Sequence, residues 1–302
     1  MTTAPTFPIR LIALDLDGTL IEDDLALRER TRAAIRGAVE RGVSVSIVTG
    51  RMTTSALRFA LELGLRDPIV GYQGAIIRAM PESDGRLGRL LLHRPLAAAA
   101  ARDAIVWSRS IGLDPHVNHL ERFVIRADDP RAEDYSAFLG GRAILTDDIV
   151  RWVTKPVSKV ISVATEPMDH AVLDTARARF VGRADVTISH PKFLEFLQPG
   201  VSKGTAVAWL ARRAGVPLGS VLAIGDQFND LEMIEAVGHG AAMPHAPRPV
   251  RAVARYIAPP LEDEGVAELI ERLVLAELAS AERSSAGLAA DAREAAELPA
   301  TA

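Results

Sequence analysis

The segment Arg10–Leu20, RLIALDLDGTL, limits the fold more than any other stretch of the chain. Leu11–Leu14 is a continuous apolar run, too short for a typical helix and without the alternation of a half-exposed strand. It predicts a strand covered on both faces. Two-sided cover calls for helices on each side of a sheet, and the sequence supplies them in turn. A helical stretch from about Arg28 to Arg41 stops at Gly42, and Val43–Val48 (VSVSIV) is β-branched and reads as a second strand. Thr53–Leu63 is helical and ends at Gly64, and Ile69–Val70 follows Pro68 as a third strand. Such alternation predicts right-handed crossovers and a doubly wound parallel sheet, an α/β core.

A length of 302 residues exceeds what one hydrophobic core usually organises, so two domains are expected. The texture changes at the turn-rich PESDGRLG, Pro81–Gly88. Beyond it lies a second α/β stretch, with strands expected at Arg122–Arg126, Lys159–Ala164 and Asp185–Ile188 and helices at Leu96–Arg109 and Met168–Phe180. The first texture then resumes: VSKGTAVAWLARRAG offers Ser202 as an N-cap and Gly215 as a stop, and Val221–Ile224 is another buried strand. The expected division is a core of residues 1–83 plus 191–277 and an insert of 84–190. Residues 278–302 carry few large apolar side chains and are expected to form a disordered tail.

The chain has no cysteine, which excludes disulfides and thiolate metal sites and points to the cytoplasm. The opening MTTAPTFPIR lacks the basic start and apolar run of a signal peptide, and no apolar run approaches the ~18 residues of a membrane span. A formal charge of -4 gives no nucleic-acid signal, so neither nucleic acid nor membrane is expected as a partner.

Three of the apolar runs end in polar signatures: Asp15-Leu16-Asp17-Gly18-Thr19, Thr49-Gly50-Arg51, and Gly225-Asp226-Gln227-Phe228-Asn229-Asp230. In a parallel sheet the carboxyl ends of the strands share one edge, and ligands bind there. Taken singly, each signature has an ordinary explanation as a turn or helix cap. A calcium loop beginning at Asp15 fails because its twelfth position is Ala26 rather than glutamate. Lys203 is less easily dismissed, since a lysine in the first turn opposes the helix dipole.

In this order and placement, the four elements resemble the haloacid dehalogenase superfamily and, within it, the Cof-type phosphatases. The resemblance runs from about Arg10 to Leu275. It is strongest in Asp15–Leu20, in VSKG (Val201–Gly204) and in GDQFNDLEM (Gly225–Met233). It implies a haloacid dehalogenase-like, Rossmann-like core with the insert as a cap of the C2 type. It also implies Mg2+-dependent hydrolysis of small phosphorylated metabolites, sugar phosphates first among them, through an aspartyl-phosphate. On this resemblance Asp15 is the nucleophile, and Asp17 is the general acid and base. Asp15, Asp226 and the backbone carbonyl of Asp17 are the magnesium ligands. Thr49, Gly50, Lys203 and Asn229 serve the phosphate, and Asp230 orients Lys203 or a metal-bound water. The chemistry is consistent with these roles: a carboxylate approaching an anionic phosphoryl group needs local positive charge and fixed donors. The two aspartates also face opposite protonation demands. Lys203 and the metal are expected to favour the ionised form of Asp15.

A phosphomutase or phosphotransferase on the same scaffold, or a phosphometabolite-binding protein without turnover, are the alternatives. Asp17 favours turnover, because binding alone needs no general acid. The chain departs from the Cof-type pattern at Gln73, where asparagine is usual, and at Pro244-His245, where glycine and asparagine are usual. These changes are expected to be tolerated loop variation that leaves the catalytic set untouched. The cap is expected to select the substrate. His116, Asn118, His119, Arg122, Lys155 and Lys159 are candidates to meet a leaving group, although most are expected on its solvated surface.

Overall fold

A computed structural model describes residues 8–22, 24–82, 87–129 and 143–280. The core opens with β1 (Leu11–Leu14), followed by β2 (Ser44–Ile47) and β3 (Ile69–Gly71), with the helices Glu29–Glu40 and Thr53–Glu62 between them. The short strands β4 (Ile76–Arg78) and β5 (Leu90–His93) come next. The insert contributes β6 (Asp114–His119), β7 (Arg122–Arg126), β8 (Ala143–Thr146), β9 (Lys159–Val163), β10 (Asp185–His190) and β11 (Phe193–Leu197). The chain returns through the helix Lys203–Ala214 to β12 (Val221–Gly225), β13 (His239–Ala242) and β14 (Tyr256–Ile257).

Five strands form a parallel sheet in the order β14-β13-β12-β1-β2, and a parallel bridge from Val48 to Val70 leads on to β3. Both faces of β1 are covered, as its unbroken apolar run predicts. Ile12 and Leu14 pack with Ile35, Ala38 and Ile270 on one side, while Leu11 and Ala13 pack with Val207, Leu210 and Ala211 on the other. The helix Lys203–Ala214 begins on a capping box between Ser202 and Thr205 and ends on Gly215 in the left-handed conformation.

The insert folds around a six-stranded sheet in the order β10-β11-β9-β6-β7-β8. The helices Ala98–Ser110 and His170–Phe180 cover one face, with Trp107, Phe180 and Phe196 edge to face. The other face turns toward the core, where Phe123 and Ile125 pack with Met52, Tyr72 and Ile76. Two strands lie across the expected boundaries. Leu90–His93 pairs with β4 and so extends the small sheet beside the core, although it follows residue 84. Phe193–Leu197 follows residue 190 yet pairs with β10 through the short turn at Pro191 and Lys192, which keeps it in the insert's sheet. At the C-terminal end residues 276–280 are helical, three residues beyond Glu277, and the remainder of the expected tail lies outside the described residues. Among the described residues no helix is long and apolar enough to cross a membrane.

Candidate active site

The register of the parallel sheet places Asp15 at the carboxyl end of β1. Leu14 lies opposite Ile224 on one side and Ile47 on the other. The Asp15 amide donates to the Ile224 carbonyl at 3.0 Å, so Asp15 is the last residue the ladder holds before the chain turns. The turn is tight: Gly18 has φ +74°, and a Cβ there would lie 2.5 Å from Asp226 Oδ2. Only glycine lets the Asp226 loop come this close to the Asp15–Thr19 loop.

Lys203 joins the two halves of the site. Its ammonium donates to Asp15 Oδ1 at 2.6 Å and to Asp230 Oδ1 at 2.6 Å, and all three side chains are buried. Asp230 Oδ2 accepts the backbone amides of Asp226 (3.0 Å) and Gln227 (2.9 Å), which fixes the loop carrying Asp226. Asp230 therefore positions both Lys203 and the Asp226 loop.

The charges do not balance. Asp15, Asp226 and Asp230 bring carboxylate oxygens within 4.8 Å of one another, against one buried ammonium. Burial, and then Asp230, pushes Asp15 well above the usual carboxylate range, and the pull of Lys203 does not reverse this. The expectation that Lys203 would help hold Asp15 ionised is thus met only in sign, because burial outweighs it. Asp230 is raised for the same first reason. Burial works against the Lys203 ammonium, but Asp15 and Asp230 outweigh it and hold Lys203 above the ordinary lysine range. Clustered hard oxygen donors short of positive charge fit a hard divalent cation. Asp230 has its oxygens engaged, which leaves Asp15 and Asp226 as the side chains suited to hold it.

Asp17 points elsewhere. Its carboxylate is gripped by the Arg51 guanidinium, with Nε at 2.8 Å from Oδ2 and Nη2 on Oδ1. Sequence reasoning assigns Arg51 no task, since Thr-Gly-Arg reads as a helix entry. In the fold it holds the side chain of the expected general acid, about half exposed, at the mouth of the site. Thr49 is fully buried, and its Oγ1 accepts the Arg51 amide at 3.1 Å, leaving its own proton free to donate.

The departures from the family pattern do reach this set, contrary to expectation. Gln73 is buried with φ +59°, and its Nε2 lies where a Cβ on Gly50 would stand, at 2.3 Å. Its Oε1 accepts Asn229 Nδ2 at 2.9 Å. One of the two donors of the amide expected to serve phosphate is therefore engaged by Gln73, and Asn229 Oδ1 is buried without a hydrogen-bonding partner among the described residues. His245 Nε2 lies 3.3 Å from Asp226 Oδ2, a hydrogen bond that raises the imidazole against the effect of burial.

The insert also enters the site. Lys159 is buried rather than solvated: it donates to Glu195 Oε2 at 2.6 Å and to the Gly50 carbonyl at 2.9 Å. Glu195 Oε1 accepts Gln73 Nε2 at 3.1 Å and the Ser189 hydroxyl. Nearby, Glu121 binds Thr53 Oγ1 at 2.6 Å and Arg78 Nε at 2.8 Å. Of the other insert candidates, His116 and Asn118 are buried in the sheet, while Arg122 and Lys155 are exposed.

A family model described as haloacid dehalogenase-like hydrolase matches residues 12–270. An HMP-PP phosphatase of Cronobacter sakazakii is 31% identical over 243 residues, covering 78% of this chain and 85% of its own. A 5-amino-6-(5-phospho-D-ribitylamino)uracil phosphatase of Bacillus subtilis is 28% identical over 275 residues, covering 88% and 96%. Among solved structures, a haloacid dehalogenase-like hydrolase from Bacteroides thetaiotaomicron superposes with a TM-score of 0.72 at 28% identity, over 87% of this chain and 99% of that one.

Proposed function

We propose that this chain, which belongs to the haloacid dehalogenase-like hydrolase family, hydrolyses small phosphorylated metabolites at Asp15. Sugar phosphates are the first class to test, with nucleotide and cofactor phosphates next. The observation that carries the reading is the buried Asp15, fixed at the end of β1 by Lys203, with Asp17 two residues further on and Thr49 and Asp226 on the neighbouring strand ends. The names of the relatives, both phosphatases of small phosphorylated compounds, support the same class.

Asp15 attacks phosphorus, and the bond from phosphorus to the leaving oxygen breaks, giving an aspartyl-phosphate and an alcohol. Asp17 would leave Arg51 and take up a proton from solvent, give that proton to the leaving oxygen, and then take one from the water that attacks the aspartyl-phosphate. Lys203 offsets the charge gathering around Asp15. The Thr49 hydroxyl and the Gly50 amide donate to the transferring group, where fixed donors stabilise the transition state. Asp15 and Asp226, with the Asp17 carbonyl, would hold a magnesium ion, which supplies charge neutralisation at the phosphoryl oxygens when bound. The insert acts as a cap, excluding water and selecting the leaving group.

The test is phosphate release from a panel of sugar, nucleotide and cofactor phosphates, in magnesium and in EDTA, with Asp15→Asn as the blank. Metal-dependent release that the variant lacks is expected. Equal release by the variant would refute Asp15 as nucleophile, and no release from any compound would refute the phosphatase.

A further inference from the structure

Lys159 and Glu195 sit on neighbouring strands of the insert, and both side chains project from the sheet face turned toward the core. The register pairs Glu195 with Ile161, and Lys159 lies two residues from Ile161 on the same face. Among the hydrogen bonds described above, the Lys159 ammonium has one that leaves the insert, to the Gly50 carbonyl at 2.9 Å. That carbonyl belongs to the peptide whose amide, Arg51 N–H, donates to Thr49 Oγ1 at 3.1 Å. One rigid peptide plane thus links the insert's lysine to the Thr49 hydroxyl, which on the phosphatase reading donates to the phosphoryl group. Gln73 clamps the same turn from the other side, with its amide against Gly50 and hydrogen-bonded to Glu195.

We propose that Lys159 is a positioning residue for phosphoryl transfer: by holding the Gly50 carbonyl it sets the Thr49-Gly50-Arg51 turn, so that the phosphate donors are aligned only while the insert is seated on the core. The proposal rests on the phosphatase reading above. It gives the insert a task separate from recognition of the leaving group, because the turn it orders serves every phosphate ester alike. Glu195 balances the lysine's charge, and the pair is buried, with Lys159 4% and Glu195 1% exposed. A paired ammonium can orient a carbonyl without itself becoming a phosphate-binding charge.

The test uses the full chain with magnesium. Wild-type turnover of p-nitrophenyl phosphate, and its loss in Asp15→Asn, is measured first. If neither p-nitrophenyl phosphate nor any ester of the panel above is turned over, the phosphatase reading fails and takes this proposal with it. Lys159→Met is then compared with wild type on p-nitrophenyl phosphate and on two sugar phosphates, together with inhibition by orthovanadate. The expected result is a fall in kcat of about 10- to 100-fold, similar for all three esters, with a comparable weakening of vanadate, since misplaced donors cost the transition state. Lys159→Arg keeps the charge and a donor within reach of Gly50, and is expected to recover most of the loss. Lys159→Gln, a shorter neutral donor that still satisfies Glu195, is the second variant should Lys159→Met not fold, and the same uniform loss is expected of it. A defect confined to KM for the sugar phosphates would make Lys159 a leaving-group contact and overturn the proposal. Unchanged kcat and vanadate inhibition would overturn it too.

Discussion

The charge imbalance around Asp15 leads to opposite stability effects for two substitutions that are both expected to abolish activity. In the absence of a metal, the folded protein holds Asp15 and Asp230 around a single ammonium, with Asp226 close by. Two unit charges within 4.8 Å of each other repel by roughly 3 kcal/mol or more at an effective dielectric constant near 20. Asp15→Asn removes one of them and leaves a balanced Lys203–Asp230 pair. Because burial raises Asp15 above its unfolded value, ionising it costs the fold stability, and that stability is lost as pH rises through the folded pKa. The neutral isostere escapes this cost, so a gain of about 1–2 kcal/mol is expected in EDTA at neutral pH, or roughly 2–6 °C in Tm. Lys203→Met does the reverse: it strands two buried carboxylates at a cost of about 3–5 kcal/mol, a fall of roughly 6–15 °C. Thermal melts of wild type and both variants, in EDTA and in magnesium, check this. Magnesium should stabilise wild type more than Asp15→Asn, because binding to the folded state alone raises Tm. Asp15→Asn melting below wild type in EDTA, by as much as Lys203→Met, would refute the electrostatic account.

Asp17→Asn should lower kcat by about 10^2- to 10^4-fold while still forming the aspartyl-phosphate from p-nitrophenyl phosphate, whose leaving group needs little protonation. Rapid mixing should then show a burst of p-nitrophenol equal to the enzyme present, and steady full turnover would remove Asp17 from its role. Gly18→Ala places a Cβ against Asp226 and should cost both activity and magnesium affinity, whereas Gly64→Ala, at a similar φ of +71° but with open space around it, should cost stability alone. If both lose activity equally, the close approach of Asp226 is not what Gly18 serves. Burial lowers His93 and His119, which lie 6.3 Å apart beside the junction of core and insert. At these two positions the unfolded chain binds more protons than the fold below about pH 6.5, so their contribution to stability should fall with pH there, against the opposite contribution of Asp15, Asp230 and His245, which are raised in the fold. The double variant His93→Gln/His119→Gln should flatten that fall in chemical denaturation between about pH 6.5 and 5, and an unchanged slope would exclude these two groups as its source.

The core and the clustered carboxylates at the sheet edge were legible in the sequence because each sits where a short-range rule ends. Asp15 and Asp226 follow unbroken apolar runs, and a run covered on both faces can only terminate at the sheet edge where ligands bind. Lys203 announced itself by conflicting with the helix dipole, and the fold resolves the conflict with two carboxylates. The insert was less legible. β6, with the sequence DPHVNH, shows no apolar run, yet His116 and Asn118 are buried there. The Lys159–Glu195 pair joins residues 36 apart through a strand register that no local pattern specifies. Gln73 and His245 could be seen to depart from the family pattern, but their consequence depends on which loops the crossovers bring together. That is why they looked peripheral and are found against Asn229 and Asp226.

The two buried lysines are used in different ways, and the difference lies in how each is paired. Lys203 serves two carboxylates and is outnumbered by them, so the core side of the site keeps a deficit of positive charge. Such a deficit favours a divalent cation and disfavours a bare phosphate dianion. Lys159 is matched one to one by Glu195, so this pair brings no net charge to the Thr49-Gly50-Arg51 turn and acts on it through the Gly50 carbonyl and, by way of Glu195, through Gln73. An unpaired ammonium at that position would attract substrate and product phosphate alike, which strengthens ground-state binding without lowering the barrier. Pairing Lys159 with Glu195 removes that uniform attraction and keeps the orientation, so what the insert contributes is felt where the donors of Thr49 and Gly50 meet the transferring group.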